Sequence, residues 1–232
     1  MEATVCLPTY NERENVEPMV RALGEHGVRV LVIDDDSPDG TGEIADRLAA
    51  ELGYVDVLHR PRKEGLGPAY VAGFRRALAN GAELILEMDC DFSHDPRDVP
   101  RLIAAAADAD LVLGSRYVEG GSIPSWGPVR RAISYGASLY ARLWLGWGVR
   151  DATTGFKCFR REVLERIDLG SISAKGYAFQ IETTYRAARA GFRVREVPIV
   201  FVDREVGGSK MSRSIVLEAI WRVPALRLWS RP

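Results

Sequence analysis

Apolar residues come in short bursts that end in acidic or glycine-containing loops. Between the bursts lie stretches with apolar residues three and four apart. Thr4–Leu7, Val28–Ile33, Val55–Leu58, Leu84–Met88 and Leu111–Gly114 have the length of buried strands, the first ending at Pro8. Val16, Met19, Val20 and Leu23 share one helical face behind a candidate cap at Asn15, and Ile44, Leu48 and Leu52 form the buried side of a second helix. A third helix follows Gly65-Leu66-Gly67 and runs through Ala77. This alternation predicts an α/β fold with a mostly parallel sheet and right-handed crossovers.

Beyond Tyr117 the pattern changes. Val118–Ser125 reads as a loop with Gly and Pro, Val129–Trp147 as a long helix with Trp144, Trp147, Arg130, Arg131 and Arg142, and Asp151–Phe156 as a turn. A short strand at Lys157–Arg160, a helix, a second helix at Tyr177–Ala190 and a strand at Arg193–Val202 follow. Glu205–Lys210 reads as a flexible Gly-Gly loop, and Ser214–Trp229 as an apolar helix carrying Arg222 and Arg227 and broken at Pro224.

Composition narrows the class. At 232 residues and 47% hydrophobic content, the chain suffices for one large α/β domain and is too apolar for disorder. The net charge of −1 hides an asymmetry: residues 1–112 carry 11 basic and 22 acidic side chains, and residues 113–232 carry 20 and 10. An acidic first half suits metal and sugar binding, and a basic second half suits phosphate or an anionic membrane surface, although scattered surface charge is the plainer reading. Cys6, Cys90 and Cys158 are odd in number and widely spaced, which argues for a reduced, cytoplasmic protein without structural zinc or disulfides. No secretory signal is legible, and no run reaches the ~18 apolar residues of a membrane span.

Candidate chemistry concentrates where strands end. Leu84–Met88 runs into Asp89-Cys90-Asp91, and carboxylates at the carboxyl end of such a strand lie where open α/β sheets bind ligands. Two close oxygen donors suit Mg²⁺ or Mn²⁺, and those ions suit a diphosphate. An isolated Asp-x-Asp is equally a solvated acidic loop, so the neighbouring motifs decide its meaning. Asp34-Asp35-Asp36 is a second acidic strand end, which is costly unless cations or hydroxyls relieve the repulsion. Gly65 and Gly67 precede a helix, where backbone amides can approach phosphate, but loop punctuation is the commoner use of such glycines.

Five motifs occur together and in order: Pro8-Thr9-Tyr10-Asn11-Glu12, Asp34-Asp35-Asp36-Ser37-Pro38-Asp39-Gly40-Thr41, Asp89-Cys90-Asp91-Phe92-Ser93-His94, Gly114-Ser115-Arg116-Tyr117 and Thr154-Gly155-Phe156. Over about Val5 to Lys210 the chain resembles the family 2 glycosyltransferases of GT-A fold. Within them it resembles the dolichol-phosphate (polyprenol-phosphate) mannose synthases of the short, peripheral type. The resemblance implies one GT-A domain: a nucleotide-sugar-binding half at 1–112, an acceptor-binding half at 113–213 and an amphipathic C-terminal helix at 214–232 without a transmembrane domain.

The same resemblance implies roles. Pro8, Tyr10, Glu12 and Asp35 would hold the nucleoside, with Asp34 and Asp36 unranked beside Asp35 and Tyr10 stacked on a base or simply a half-buried loop aromatic. Asp91 would bind the Mg²⁺ or Mn²⁺ cofactor directly. Asp89 would bind metal or sugar hydroxyls, and Ser93 stands where some relatives have a Gln ligand. His94 reads as structural. Arg116, Arg130, Arg204 and Lys210 would grip acceptor phosphate or donor diphosphate, with Asp89, Asp91, Arg116 and Lys210 at the reacting centre and Arg204 and Lys210 on a closing loop. Ser134 would lie near the acceptor phosphate, and Asp151, Gln180 and Glu182 would line the sugar site.

The implied partners are GDP-mannose, a polyprenyl or dolichyl phosphate and the cytoplasmic face of a membrane, with no nucleic acid. The implied product is an inverted, β-linked polyprenyl phosphomannose. A lipid phosphate is already anionic and needs positioning rather than a base; a hydroxyl acceptor would make Asp151 or Glu182 the base. The rival readings are another donor such as UDP-glucose, transfer to a growing glycan, and a non-catalytic nucleotide-sugar-binding membrane subunit.

Overall fold

A computed structural model describes residues 2–172, 174, 176–203 and 222–227. Seven strands form one sheet in the order β3-β2-β1-β4-β6-β5-β7. They are β1 (Ala3–Thr9), β2 (Arg29–Asp34), β3 (Val55–His59), β4 (Leu84–Glu87), β5 (Leu111–Ser115), β6 (Lys157–Arg160) and β7 (Val194–Pro198). Neighbours are parallel except at β6, which runs against both β4 and β5. The reversal follows from where the chain enters: the Asp151–Phe156 segment lies at the carboxyl end of β5, where Gly114 N–H donates to the Phe156 carbonyl at 2.8 Å, so β6 can only run back. Its first residue, Lys157, thereby faces Glu87, the last residue of β4.

Alternate strand residues feed two cores, as in a sheet covered on both faces. Val5, Leu7, Val30, Val32, Leu84 and Leu86 face α1 (Val16–Gly24), α2 (Thr41–Glu51) and α4 (Val99–Ala105). Cys6, Leu31, Ile33, Ile85, Leu111 and Leu113 face α3 (Leu66–Ala79), α6 (Arg161–Arg166) and α7 (Tyr177–Arg189). A third, smaller cluster joins α5 (Pro128–Leu145), α7 and the helical residues 222–227 through Ala141, Leu145, Tyr185 and Val223.

Several expected boundaries move. β1 continues through Pro8 to Thr9, because it lies between β2 and β4 and its pairing with β2 extends to Thr9–Asp34. Asn15 precedes α1 without capping it; its side-chain amide donates to Glu12 Oε2 at 2.8 Å instead. Val16, Met19, Val20 and Leu23 are all fully buried, whereas Ile44 and Leu52 only pack partly against the core that Ala45 and Leu48 enter. α5 stops at Leu145 because Gly146 turns left-handed (φ 67°), which leaves Trp147 outside. β7 ends at Pro198, and Val200 then makes an isolated bridge to Ser122. Residues 222–227 are helical with Pro224 among them; the rest of Ser214–Trp229, on which the expected break depends, and the Glu205–Lys210 loop lie outside the described residues.

Candidate active site

The carboxyl ends of β1 and β2 build an acidic corner whose charges are separately compensated. Asp34 is buried: its Oδ1 accepts from Ser37 Oγ at 2.6 Å and Thr9 Oγ1 at 3.3 Å, and its Oδ2 from Ser37 N–H at 3.2 Å. It closes the turn. Asp35, also buried, accepts from Arg60 Nη1 at 2.5 Å, and Arg60 reaches Glu64 at 2.9 Å. Burial raises the Asp35 pKa, and the Arg60 charge opposes the rise. Asp36 points out with a left-handed backbone (φ 57°). This ranks the three acids and resolves the expected repulsion, with Arg60 as a partner that sequence reasoning missed. Its signal was positional: β3 pairs His59 with Asp34, so the next arginine falls beside Asp35.

Around this corner Asp39 binds Thr41 Oγ1 at 2.6 Å and Arg13 N–H at 3.1 Å, and Glu12 N–H donates to Thr41 Oγ1 at 3.0 Å. Tyr10 carries Lys63 Nζ 3.8 Å from its ring centroid, an arrangement in which a cation lies on the face expected to receive a base. Pro8, Tyr10, Glu12 and Asp35 are thus brought to one rim. Gly67 is not part of a phosphate cradle: a Cβ there would lie 2.4 Å from the Ala174 carbonyl oxygen, so its bareness serves packing.

β4 delivers Asp89 and Asp91 just past its end. Asp91 is buried, and its Oδ1 accepts both Ser93 Oγ (2.6 Å) and Ser93 N–H (3.1 Å), which fixes the carboxylate. Phe92 takes φ 58° to make this turn. Asp89 is half-buried, and His94 beside it packs between Phe156 and Phe201. Among the described residues no group of three His, Cys, Asp or Glu could hold a metal alone. The two carboxylates nevertheless fit a hard divalent cation that takes its remaining oxygens from a diphosphate and water.

Phe201 links this loop to the acceptor side, where Val202 N–H donates to the Ser93 carbonyl at 3.2 Å. Arg116 lies over Phe201, Trp126 and Tyr117 and forks onto Asp151: Nε and Nη2 are each 2.7 Å from a carboxylate oxygen, and the Arg116 N–H adds a bond of 2.9 Å. Arg130 stacks 4.1 Å above Trp126 and pairs with Asp203 at 2.7 Å. Ser134 accepts from Tyr117 Oη at 2.8 Å. Arg116, Arg130 and Ser134 are therefore gathered around Tyr117 and Trp126, with Arg116 and Asp151 forming one unit rather than two independent groups.

Gln180 and Glu182 part company. Two residues on a helix are about 200° apart. Gln180 turns its amide toward Gly155, whereas Glu182 pairs with Arg186 at 2.5 Å, and Arg186 in turn binds the Ile167–Ser171 segment. Gln180 and Glu182 thus meet different partners within the structure. Arg204 and Lys210 lie outside the described residues. A further pair that sequence reasoning passed over is Lys157–Glu87, at 3.0 Å with both side chains fully buried; its signal was an ionisable residue at the first position of one short strand and the last of another.

The surface beside Arg130 and Ser134 is unusual. α5 exposes Val129 (72%) and Leu143 (70%) together with Ile133, Tyr135, Leu139 and Trp144. A cavity of about 150 Å³ is lined by Tyr117, Tyr135, Leu139, Arg142 and Arg150. No helix among the described residues is long and apolar enough to cross a membrane.

Comparison with known proteins places this geometry. Residues 4–168 match the family model described as glycosyl transferase family 2. The polyprenol monophosphomannose synthase of Mycolicibacterium smegmatis is 50% identical over 224 residues, covering 94% of this chain and 84% of that protein. The undecaprenyl-phosphate mannosyltransferase of Micrococcus luteus is 48% identical over 233 residues, covering 100% of this chain and 96% of that protein. Among solved structures, a mannosyltransferase of Pyrobaculum calidifontis in complex with GDP-Man and Mn²⁺ superposes with a TM-score of 0.67 at 20% identity; the match covers 100% of this chain and 65% of that one. Glucosyl-3-phosphoglycerate synthase of Mycobacterium tuberculosis with UDP gives 0.69 at 22% identity, covering 96% and 80%. At these identities the two structures establish the shared GT-A fold.

Proposed function

The chain belongs to glycosyl transferase family 2, and from that premise we propose that it transfers mannose from GDP-mannose to a polyprenyl phosphate, releasing GDP and forming polyprenyl phosphomannose. The observation that carries the reading is the Asp89–Asp91 pair, set between a nucleotide-type acidic rim and the Arg116–Arg130–Ser134 cluster. The relatives at 48–50% identity, named for polyprenyl or undecaprenyl phosphate and mannose, support the same acceptor and sugar.

Asp35, held by Arg60, and the Pro8–Glu12 loop take the guanosine. Asp91, oriented by Ser93, is the direct ligand of a divalent cation, Mg²⁺ or Mn²⁺, with Asp89 beside it; Ser93 holds the ligand rather than acting as one. Bound there, the cation supplies charge stabilisation to the departing diphosphate. Arg130, Ser134 and the Arg116–Asp151 unit position the acceptor phosphate, with Arg204 and Lys210 as further cations. The acceptor oxygen displaces GDP at the anomeric carbon in one step, so configuration inverts. Neither Asp151 nor Glu182 is available as a base, since each carboxylate is bound by an arginine. That favours an acceptor that arrives already ionised over a sugar hydroxyl.

The exposed apolar face of α5 and the cavity with Arg142 and Arg150 favour docking on the surface of a membrane holding the acceptor's chain, at its cytoplasmic face. On this reading the donor half is 1–112 and the acceptor half follows it. The test is a panel of labelled GDP- and UDP-sugars with a short polyprenyl phosphate and Mg²⁺ or Mn²⁺. Transfer from GDP-mannose is expected; selective transfer from UDP-glucose or no transfer from any sugar nucleotide overturns the assignment.

A further inference from the structure

Lys157 opens β6 and has no exposed surface. Its Nζ lies 2.6 Å from Gln180 Oε1, 3.0 Å from the Gln180 carbonyl, 3.1 Å from Thr183 Oγ1 and 3.0 Å from Glu87 Oε1. An ammonium group only donates. The Gln180 side-chain oxygen must therefore face Lys157, and its amide nitrogen must face the other way. That nitrogen is buried and has no hydrogen-bond partner among the described residues. It is turned toward Gly155: a Cβ on Gly155 would lie 3.4 Å from Gln180 Nε2 and 3.8 Å from Asp89 Oδ2. A donor without an acceptor and a carboxylate oxygen thus flank the same bare backbone, beside the metal motif.

A buried N–H₂ without a partner is costly enough that an absent ligand is its natural explanation. The chemistry of the two flanking groups selects the ligand. A phosphate oxygen accepts from Gln180 but is repelled by Asp89. A hydroxyl accepts from Gln180 and donates to Asp89 at once. We propose that Lys157, with Glu87 as its counter-charge, is a positioning residue that aims the Gln180 amide so that Gln180 Nε2 and Asp89 Oδ2 together bind one hydroxyl of the donor sugar. The inference rests on the donor-sugar reading above and adds the device that orients the subsite. It also accounts for a charged pair inside the core: an ammonium, which only donates, holds the amide in one sense, and the carboxylate beside it offsets the charge.

Gln180→Glu tests the amide. The variant keeps one oxygen on Lys157 and turns an acceptor toward Asp89. Affinities for GDP and for the GDP-sugar are measured calorimetrically with Mn²⁺, alongside kcat and KM. GDP affinity is expected within about twofold of wild type, while the preference for GDP-sugar over GDP falls about tenfold and the donor KM rises. Glu87→Met/Lys157→Met removes both charges without orphaning either; it is expected to lose the same preference, with no further loss when combined with Gln180→Glu. In the wild-type protein, nuclear Overhauser contacts from the Gln180 side-chain amide protons to Gly155 are expected, whether or not the double variant folds. Contacts from those protons that are stronger to the Lys157 side chain than to Gly155 overturn the proposal, as does an unchanged sugar preference in Gln180→Glu or in a folded double variant. Wild-type protein that binds GDP-sugar no better than GDP refutes the subsite while leaving transfer itself to the donor panel; wild-type protein that binds no sugar nucleotide overturns both.

Discussion

Asp151→Ala is the perturbation whose size the structure sets most directly. Asp151 has no exposed surface, and the Arg116 side chain has 5%. The carboxylate receives the two guanidinium bonds of 2.7 Å and the Arg116 N–H at 2.9 Å, while Thr153 Oγ1 takes a third guanidinium bond at 2.8 Å. Removing the carboxylate takes from a buried cation the partner that holds it bidentately. Breaking such a pair costs about 3–5 kcal/mol, about a fifth or more of the 5–15 kcal/mol typical of a folded domain. Replacing both partners, Arg116→Met/Asp151→Leu, removes the pair without orphaning a charge and is expected to cost about 1 kcal/mol or less. Urea unfolding followed by tryptophan fluorescence measures both, because Trp126 lies 5.7 Å from the Arg116 guanidinium. The double variant should fold and bind nucleotide, yet lose transfer because the acceptor phosphate loses its anchor. A loss below about 1 kcal/mol in Asp151→Ala, or additive single costs in the cycle, would refute the reasoning that these residues act as one unit.

Other expectations are as direct. Asp91→Ala should abolish metal-dependent GDP binding and transfer, and an active variant would remove Asp91 from the metal site. Leu143→Asp/Ile133→Asp, at exposed positions of α5, should leave stability within about 0.5 kcal/mol and sharply reduce co-sedimentation with anionic liposomes; undiminished binding would show that another face docks. Asp110 has its pKa held below the ordinary carboxylate value, chiefly by the Arg193 N–H at 2.8 Å. Its folded-state pKa is depressed, so its contribution is present above about pH 4 and lost as pH falls through the folded value. Acid unfolding of Asp110→Asn should therefore depend less steeply on pH than that of wild type in this window.

Much of the architecture was legible because each apolar burst is short and each helix shows its face. Val16, Met19, Val20 and Leu23 were readable as one buried stripe since burial follows the 3.6-residue period directly. The Asp89–Asp91 motif was legible only in company, since an isolated Asp-x-Asp also reads as a solvated loop and the ordered motifs around it gave it meaning. Arg60, the Arg116–Asp151 fork and the Lys157–Gln180 contact were not, since their partners are 25, 35 and 23 residues distant and no local period records the pairing. The Glu182–Arg186 pair, four residues apart on one helix, is by contrast the kind of contact a local period does record.

By itself the sequence determined the alternation of strands and helices, the order of the acidic strand ends and the change from an acidic to a basic half, because these depend on local periodicity and composition. Tertiary structure alone decided which charges face one another. The antiparallel return of β6 puts Lys157 against Glu87 and Gln180, and the segment leading into it puts Asp151 on Arg116. Burial then turns those proximities into constraints, because a charge removed from water must be met by a particular partner, and such partners are chosen by the path of the chain.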